Sequence, residues 1–146
     1  MNQKPETKEI SISLADNSQL QIEDTYVVIK DLLKMTEEGI LLKNTDIING
    51  NGNFEVWANL SIGNIDLSEF GNRTKTIKNI LSIAMKNNIK GINVIATNNN
   101  PNLERFIIEL APVLRELGIK TNIVKNEFTS SINYDNFTEI VDYIIK

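Results

Sequence analysis

The chain has 146 residues, of which 15 are Lys or Arg and 19 are Asp or Glu, and its formal net charge at pH 7 is -4. It contains neither histidine nor cysteine, which removes disulfides, thiolate nucleophiles, the commonest general base and the usual zinc ligands. Ser-His-Asp hydrolysis and Cys-His proteolysis are therefore excluded. The acidic balance disfavours loose binding to a phosphate backbone and argues against a nucleic-acid partner.

One domain is expected at this length. We predict a flexible tail over residues 1–7 and a single α/β domain over residues 8–146. The polar N-terminus lacks the apolar core of a signal peptide, and no apolar run is long enough to span a membrane. We therefore expect a cytoplasmic protein without membrane contact. The abundance of Asn, Ile and Lys is typical of an AT-rich bacterial or phage gene.

Two stretches near the N-terminus alternate apolar and polar residues. They cover residues 9–14 and 19–22, and the turn-forming residues 16–18 lie between them. This pattern predicts an antiparallel β-hairpin.

Residues 24–39 fit two patterns. The β-branched run at 26–29 favours a strand, whereas Lys30, Asp31, Lys34 and Glu37 continue at helical spacing. We predict a helix that begins at Asp24 or Thr25 and ends near Gly39.

Three extended segments follow, at residues 40–42, 46–48 and 54–62. The Asn-Gly-rich stretch 49–53 separates the last two and permits a tight turn, so a second hairpin is predicted there. On the last segment, one face carries Phe54 and every second residue to Ile62, while Trp57 lies on the more polar face.

The stretch 72–125 has a helix, strand, helix, strand pattern, and each unit ends at a breaker. The first helix begins after Gly71, a short buried strand covers residues 92–96, and a second helix runs from Leu103 to Gly118 with a kink or break expected at Pro112. A strand over residues 119–124 follows, and a last helix is predicted from Asp135 or Asn136 to Ile145. The fold class is therefore α/β, with a mixed sheet that joins N-terminal antiparallel hairpins to a C-terminal parallel βαβ unit.

Two carboxylates precede this unit. Asp46 lies in one predicted strand and Glu55 in the next, a layout that resembles the PD-(D/E)xK nucleases, in which two acids hold a divalent metal and a lysine orients the attacking water. The resemblance implies catalytic and metal-binding roles for Asp46 and Glu55 with Mg²⁺ or Mn²⁺. Trp57 stands at the lysine position, so Lys75 or Lys78 would have to replace it. A divergent or inactive member is the implied form.

A second likeness concerns residues 71–75, Gly-Asn-Arg-Thr-Lys, at the start of the first long helix. This turn is similar to the basic turn with which GNAT acetyltransferases hold the pyrophosphate of acyl-CoA. The resemblance implies acyl transfer. The stretch has one glycine, where such turns are glycine-rich.

Two further groups are candidate binding residues. Asn98, Asn99 and Asn100 follow the carboxyl end of a predicted parallel strand, where open α/β sheets bind their ligands. Trp57, if exposed, is a residue type favoured at protein interfaces. The alternative for each is structural, a polar turn and a packed tryptophan.

The absence of a concentrated catalytic motif favours a non-catalytic binding or regulatory protein, which acts through a protein partner or self-association and requires no cofactor. Its size and charge suit an immunity protein, an antitoxin or a phage inhibitor. The nuclease-like and acyltransferase-like readings are the alternatives from the enzyme class.

Overall fold

The chain folds around one curled mixed sheet, which a computed structural model describes over residues 6–37, 39–42, 53–63 and 65–146. Two helices, α1 (Phe70–Lys86) and α2 (Leu103–Glu116), pack on it, and short 3₁₀ turns cover Glu127–Thr129 and Tyr134–Phe137. The strands in the described residues are β1 (Lys8–Ile10), β2 (Gln19–Ile22), β3 (Thr25–Thr36), β4 (Gly39–Leu42), β5 (Glu55–Ile62), β6 (Ile89–Ala96), β7 (Lys120–Val124) and β8 (Tyr143–Ile145). The predicted α/β class with a mixed sheet is confirmed.

The strand order is β1-β8-β7-β6-β5-β3-β2, with β4 also paired to β3. All neighbours from β3 to β1 are parallel, whereas β2 and β4 run antiparallel to β3. The sheet curls so strongly that side chains from its two edges meet. Glu23, just after β2, pairs with Lys8 and accepts a hydrogen bond from the Tyr143 hydroxyl at 2.7 Å.

The helices cover the outer, convex face of the sheet and form the main core with it. Aliphatic residues fill most of this core because they alternate along the strands and recur at helical spacing in α1 and α2. Its largest fully buried members include Phe106, Phe137, Leu32, Leu33, Leu60 and Ile80. Strands β6 and β7 lie side by side, joined through α2, which runs through Pro112 as one helix.

The first predicted hairpin is wrong. β1 pairs with β8 in parallel, and β2 pairs with β3, so the two alternating segments lie at opposite edges of the sheet. Residues 11–18 cross the inner face between them, and the carbonyl of Leu14 accepts a hydrogen bond from Asn59 Nδ2 of β5 at 2.8 Å. Alternation marked both strands but carried no information about their partners.

Two predicted helices are also wrong. Residues 25–36 form β3, because the β-branched run pairs with β2 on one side and β5 on the other. The register of the pairing with β5 shifts between Lys30 and Leu33, where Asp31 lies. The predicted last helix is a 3₁₀ turn, Tyr134–Phe137, followed by β8. Glu139 has φ of +67° and interrupts helical geometry between them. The 46–48 strand and its turn lie outside the described residues, whereas 40–42 is extended, as predicted, in β4.

Candidate interaction site

Glu55 begins β5, at the end of the sheet where the parallel strands start. Its Oε1 accepts a hydrogen bond from Trp57 Nε1 at 3.0 Å and pairs with Lys120 Nζ at 3.3 Å. Asp46, the other predicted metal ligand, lies outside the described residues. Within the described ranges, no group of three or more acidic side chains is arranged to hold a metal ion. Glu55 is thus engaged by a cation and an indole N–H.

Lys75 lies near the other end of the sheet. It lines a small cavity of about 140 Å³ with Thr36, the last residue of β3, and with Asp66. Because β3 and β5 are parallel, this cavity and Glu55 are separated along the strand direction. The eight residues of β5 span roughly 25 Å, so the structure does not bring Glu55 and Lys75 together.

The basic turn at residues 71–75 is the first turn of α1, which begins at Phe70 and has Glu69 as its N-cap residue. A Cβ built on Gly71 would meet nothing within 4 Å. Residues 71–75 are therefore helical and do not form a loop, and no neighbouring atom of the described residues requires a glycine at position 71.

Trp57 lies on the inner face of the sheet and is 1% exposed. Its ring lies 5.6 Å from that of Tyr143, tilted by 37°, and covers Gly91 of β6, where an added Cβ would lie 2.7 Å from the indole. Ile22, Val27 and Ile29 complete this smaller apolar cluster. Trp57 is therefore a packing residue of the inner face and presents almost no surface to a partner.

The three asparagines lie at the carboxyl end of β6, as their sequence position predicts. Asn99 is exposed, whereas Asn98 and Asn100 are half-buried. Asn100 donates to the carbonyl of Ile65 at 2.9 Å and accepts from the N–H of Asn102 at 3.1 Å. These bonds hold the turn that leads into α2, which gives Asn100 a structural role.

A buried row of polar side chains crosses the inner face, and the sequence patterns did not predict it. Asn59, Asn93 and Asn122 are directly paired in register on β5, β6 and β7. Asn122 Nδ2 donates to Asn93 Oδ1 at 2.9 Å, and Asn93 Nδ2 donates to Asn59 Oδ1 at 3.1 Å. Asn59 Nδ2 in turn donates to the carbonyl of Leu14 at 2.8 Å. The segment 11–18 therefore supplies a polar partner for the inner face.

An exposed apolar groove runs between the two helices. Phe70, Leu81 and Met85 fall on one side of α1, and Phe70 and Met85 are 68% and 64% exposed. Val113 and Leu117 lie one turn apart at the end of α2, and Leu117 is 42% exposed. Met85 and Leu117 line the two walls of a cleft of about 220 Å³ at the carboxyl ends of the helices.

The floor of this groove is closed by an ion pair. Arg73 Nε of α1 lies 2.8 Å from Glu109 Oε1 of α2, and both side chains are mostly buried. The Arg73 guanidinium also donates to the carbonyls of Leu67 and Ser68 and lies 5.9 Å from the Phe70 ring centroid. Glu109, Val113 and Leu117 recur at a spacing of four, so this stripe of α2 faces α1. Together the exposed apolar residues of the two helices form an apolar strip along the groove, with the buried ion pair near its Phe70 end.

Ionisable groups cluster at the amino end of the sheet, where the two edges meet. Hydrogen bonds from Lys8 and Tyr143 lower the pKa of the Glu23 carboxyl group. Burial and the hydrogen bond to Glu23 raise the pKa of the Tyr143 hydroxyl group well above its usual range. Burial also raises the pKa of Asp142, whose carboxylate accepts the N–H of Thr121 at 3.0 Å. At neutral pH, a charged Glu23 and a neutral Tyr143 hold the edges together.

No helix in the described part of the chain is both long and apolar enough to cross a membrane. No protein-family model matches the sequence, and no curated protein matches it. Among solved structures, the fold is similar to that of a chitinase from Chromobacterium violaceum ATCC 12472, with a TM-score of 0.57 and 15% sequence identity over 82% of this chain. The match covers 47% of the chitinase chain, so this chain spans about half of its length. At this identity the likeness is one of fold alone.

Proposed function

We propose that this chain is a non-catalytic binding protein that acts through a protein partner docked in the groove between α1 and α2. The observation that carries the proposal is the paired exposure of Met85 and Leu117 across one cleft. Exposed apolar side chains scattered singly are normal on protein surfaces, whereas a contiguous apolar strip marks an interaction site. Phe70 extends the strip to the other end of α1.

The rigidity of the groove also supports a binding role. The buried pair of Arg73 and Glu109 fixes the distance between the helices, and the Arg73 side chain is anchored on two backbone carbonyls. A preorganised groove binds a partner with less loss of conformational entropy than a mobile one. The cost of holding a charged pair below an apolar strip is consistent with selection for a fixed binding surface.

The nuclease-like and acyltransferase-like alternatives are supported only by short sequence resemblances. Glu55 is engaged by Lys120 and Trp57 and lies far from Lys75, and residues 71–75 are helical. No contact among the described residues favours either alternative over the groove. The cytoplasm is the compartment we propose for this function, because a chain without cysteine needs no oxidising environment.

Partner capture with groove variants tests the proposal. The double substitution Met85→Asp and Leu117→Asp places charges in the cleft, and the matched control Tyr26→Asp places one on another exposed aromatic residue, 62% exposed on β3. Surface substitutions of this kind change the free energy of unfolding by about 0.5 kcal/mol or less. Circular dichroism should therefore show both variants folded.

We expect the unchanged chain and Tyr26→Asp to retain a partner protein from a lysate of the source cells. The double variant should retain at least about tenfold less of this protein, because the loss of about 1.4 kcal/mol of binding free energy at a hot spot weakens affinity by that factor. The retained protein would then be purified and titrated directly against all three chains. Equal affinity for the unchanged chain and the double variant would show that the groove is not the binding surface.

A further inference from the structure

The charge of α1 is opposite to that of the chain. The helix carries Arg73, Lys75, Lys78 and Lys86 and no acidic residue. With a net charge of -4 on the whole chain and +4 on α1, the remaining residues sum to -8. Such segregation concentrates positive potential along one helix of an acidic protein.

Three of these four cations are available to a partner. Arg73 is neutralised by Glu109 in the groove floor, whereas Lys75, Lys78 and Lys86 form no ion pair with another described residue. Lys78 precedes Met85 by two helical turns and therefore lies beside the apolar strip. Lys90, at the start of β6, lines the open end of the cleft. Lys78 and Lys90 thus give the strip a cationic rim on its α1 side, whereas Lys75 lines the cavity beside Thr36 on the other side of α1.

The dimensions of the strip fit a helix. From Phe70 to Met85 the strip follows 16 residues of α1, and the 15 rises between them cover roughly 22 Å at 1.5 Å each. A groove between two helices accepts the apolar face of a third helix, anchored by residues at positions i, i+3 or i+4, and i+7. A partner helix of about four turns would cover the strip from Phe70 to Met85.

We infer that the partner presents an acidic amphipathic helix to this groove, with its apolar face on Phe70, Met85 and Leu117 and its carboxylates beside Lys78 and Lys90. This inference rests on the proposed function and adds the chemistry of the partner. A second copy of the chain does not fit, because neither helix of the described residues is a free acidic amphipathic helix: α1 is cationic, and the main apolar stripe of α2 is packed on the sheet. An anionic membrane is disfavoured by the net charge of -4 and by the concave shape of the cleft.

A pair of synthetic peptides tests the charge preference. Both are 16-residue amphipathic helices with leucines at positions i, i+3, i+4 and i+7, and the polar positions are glutamates in one and lysines in the other. Fluorescence anisotropy at low salt should show the glutamate peptide bound with a Kd on the order of 10 μM and the lysine peptide bound at least about tenfold more weakly. Raising the salt concentration should weaken the glutamate peptide, because the pairs at the rim are exposed.

Matched variants locate the effect. Lys78→Glu should reduce the affinity for the glutamate peptide about fivefold or more, whereas Lys34→Glu, the same charge change on an exposed position of β3, should leave it within about twofold. Met85→Asp together with Leu117→Asp should abolish binding of the peptide.

The outcomes separate this inference from the proposed function. Equal binding of both peptides, lost in the double variant, would overturn the acidic partner and leave the groove as a binding surface. Binding of neither peptide, with a captured partner still dependent on Met85 and Leu117, would overturn the helical acidic partner alone. Sedimentation with phosphatidylglycerol–phosphatidylcholine vesicles that depends on Met85 and Lys78 would assign the strip to a membrane surface and overturn both.

Discussion

The two faces of the curled sheet are built on different physical principles. The outer face packs mainly aliphatic side chains of the strands against α1 and α2. The inner face combines an apolar cluster around Trp57 with a row of buried asparagines. Burial of apolar area stabilises the first face in proportion to that area, whereas each polar group of the second face must find a partner or cost free energy.

This difference determines what each face specifies. Aliphatic packing tolerates exchange of one apolar residue for another, because the attraction is not directional. The amide row has direction, since each asparagine donates to the next, from Asn122 through Asn93 to Asn59 and on to the carbonyl of Leu14. A shift of one residue in any strand pairing would break this chain of bonds, so the inner face fixes the register of β5, β6 and β7 and the path of residues 11–18.

The largest effect is expected on the outer face. Phe106 is fully buried in the main core, where α2 meets the sheet. Phe106→Ala removes its packing and leaves a cavity, at a cost of about 3–5 kcal/mol in the free energy of unfolding. Urea denaturation would measure this as a lower midpoint at an unchanged slope. A cost below about 2 kcal/mol would mean that the outer core can collapse onto the vacated volume.

The outer face is also the part of the fold that the sequence predicts well. The helix predicted after Gly71 is α1, and the residues predicted to share one face of β5 include Ala58, Leu60 and Ile62, which lie in the main core. Helical and alternating patterns record burial against a single apolar surface, and that information is local. The α1 strip was open to prediction on the same grounds, since Leu81 and Met85 continue at helical spacing beside the buried stripe.

The inner face could not be predicted from local patterns. Lys30 and Asp31 indicated a solvent-facing helix, yet Lys30 is buried in β3, where its ammonium group donates a hydrogen bond to Asn17 Oδ1 and pairs with the Asp16 carboxylate. Asn59, Asn93 and Asn122 each read as an isolated polar residue within an apolar strand, and only the register of three parallel strands joins them. The parallel partner of β1 is likewise more than 130 residues away, as is that of the Thr7 hydroxyl, which donates to the carbonyl of Val141.

A smaller but more diagnostic effect is expected on the inner face. Asn93→Ala removes the middle of the amide row and leaves Asn122 Nδ2 and Asn59 Oδ1 buried without their partner, at a cost of about 2–4 kcal/mol. Asn122→Ala is the matched control, because it leaves only Asn93 Oδ1 without a donor and should cost about 1–2 kcal/mol. Urea denaturation of both variants measures the difference.

The order of these two costs tests the directional row. Asn122 Oδ1 is buried without a hydrogen-bond partner in the described structure, so Asn122 is the end of the row rather than a link within it. Equal costs for the two substitutions would show that the asparagines act as independent buried amides. The hydrogen bonds of the inner face would then fix the register of β5, β6 and β7 no more strongly than the packing of the outer core does.

The smallest effect concerns Asp142, which is close to the amino-end contact between the sheet edges. Burial raises its pKa in the folded chain above the unfolded value of about 3.8. At pH values above 3.8, the folded state therefore holds the proton of this carboxyl group more tightly than the unfolded state does. The free energy of unfolding contributed by this group therefore falls as the pH rises through that window. Asp142→Asn retains an oxygen that accepts the Thr121 N–H and removes the titration.

Relative to the unchanged chain, Asp142→Asn should gain stability as the pH rises above about 4, by less than about 1 kcal/mol after allowance for solvent screening of this partly exposed group. Asp24→Asn, a substitution at an exposed position after β2, is the control and should show no such gain. Glu9 and Glu23 have lowered pKa values and act in the opposite sense, since their stabilisation is present above about pH 4.5 and is lost as the pH falls. A gain for Asp142→Asn that does not change with pH would assign the effect to packing. The charge of the Asp142 carboxylate would then make no contribution to the stability of this end of the sheet.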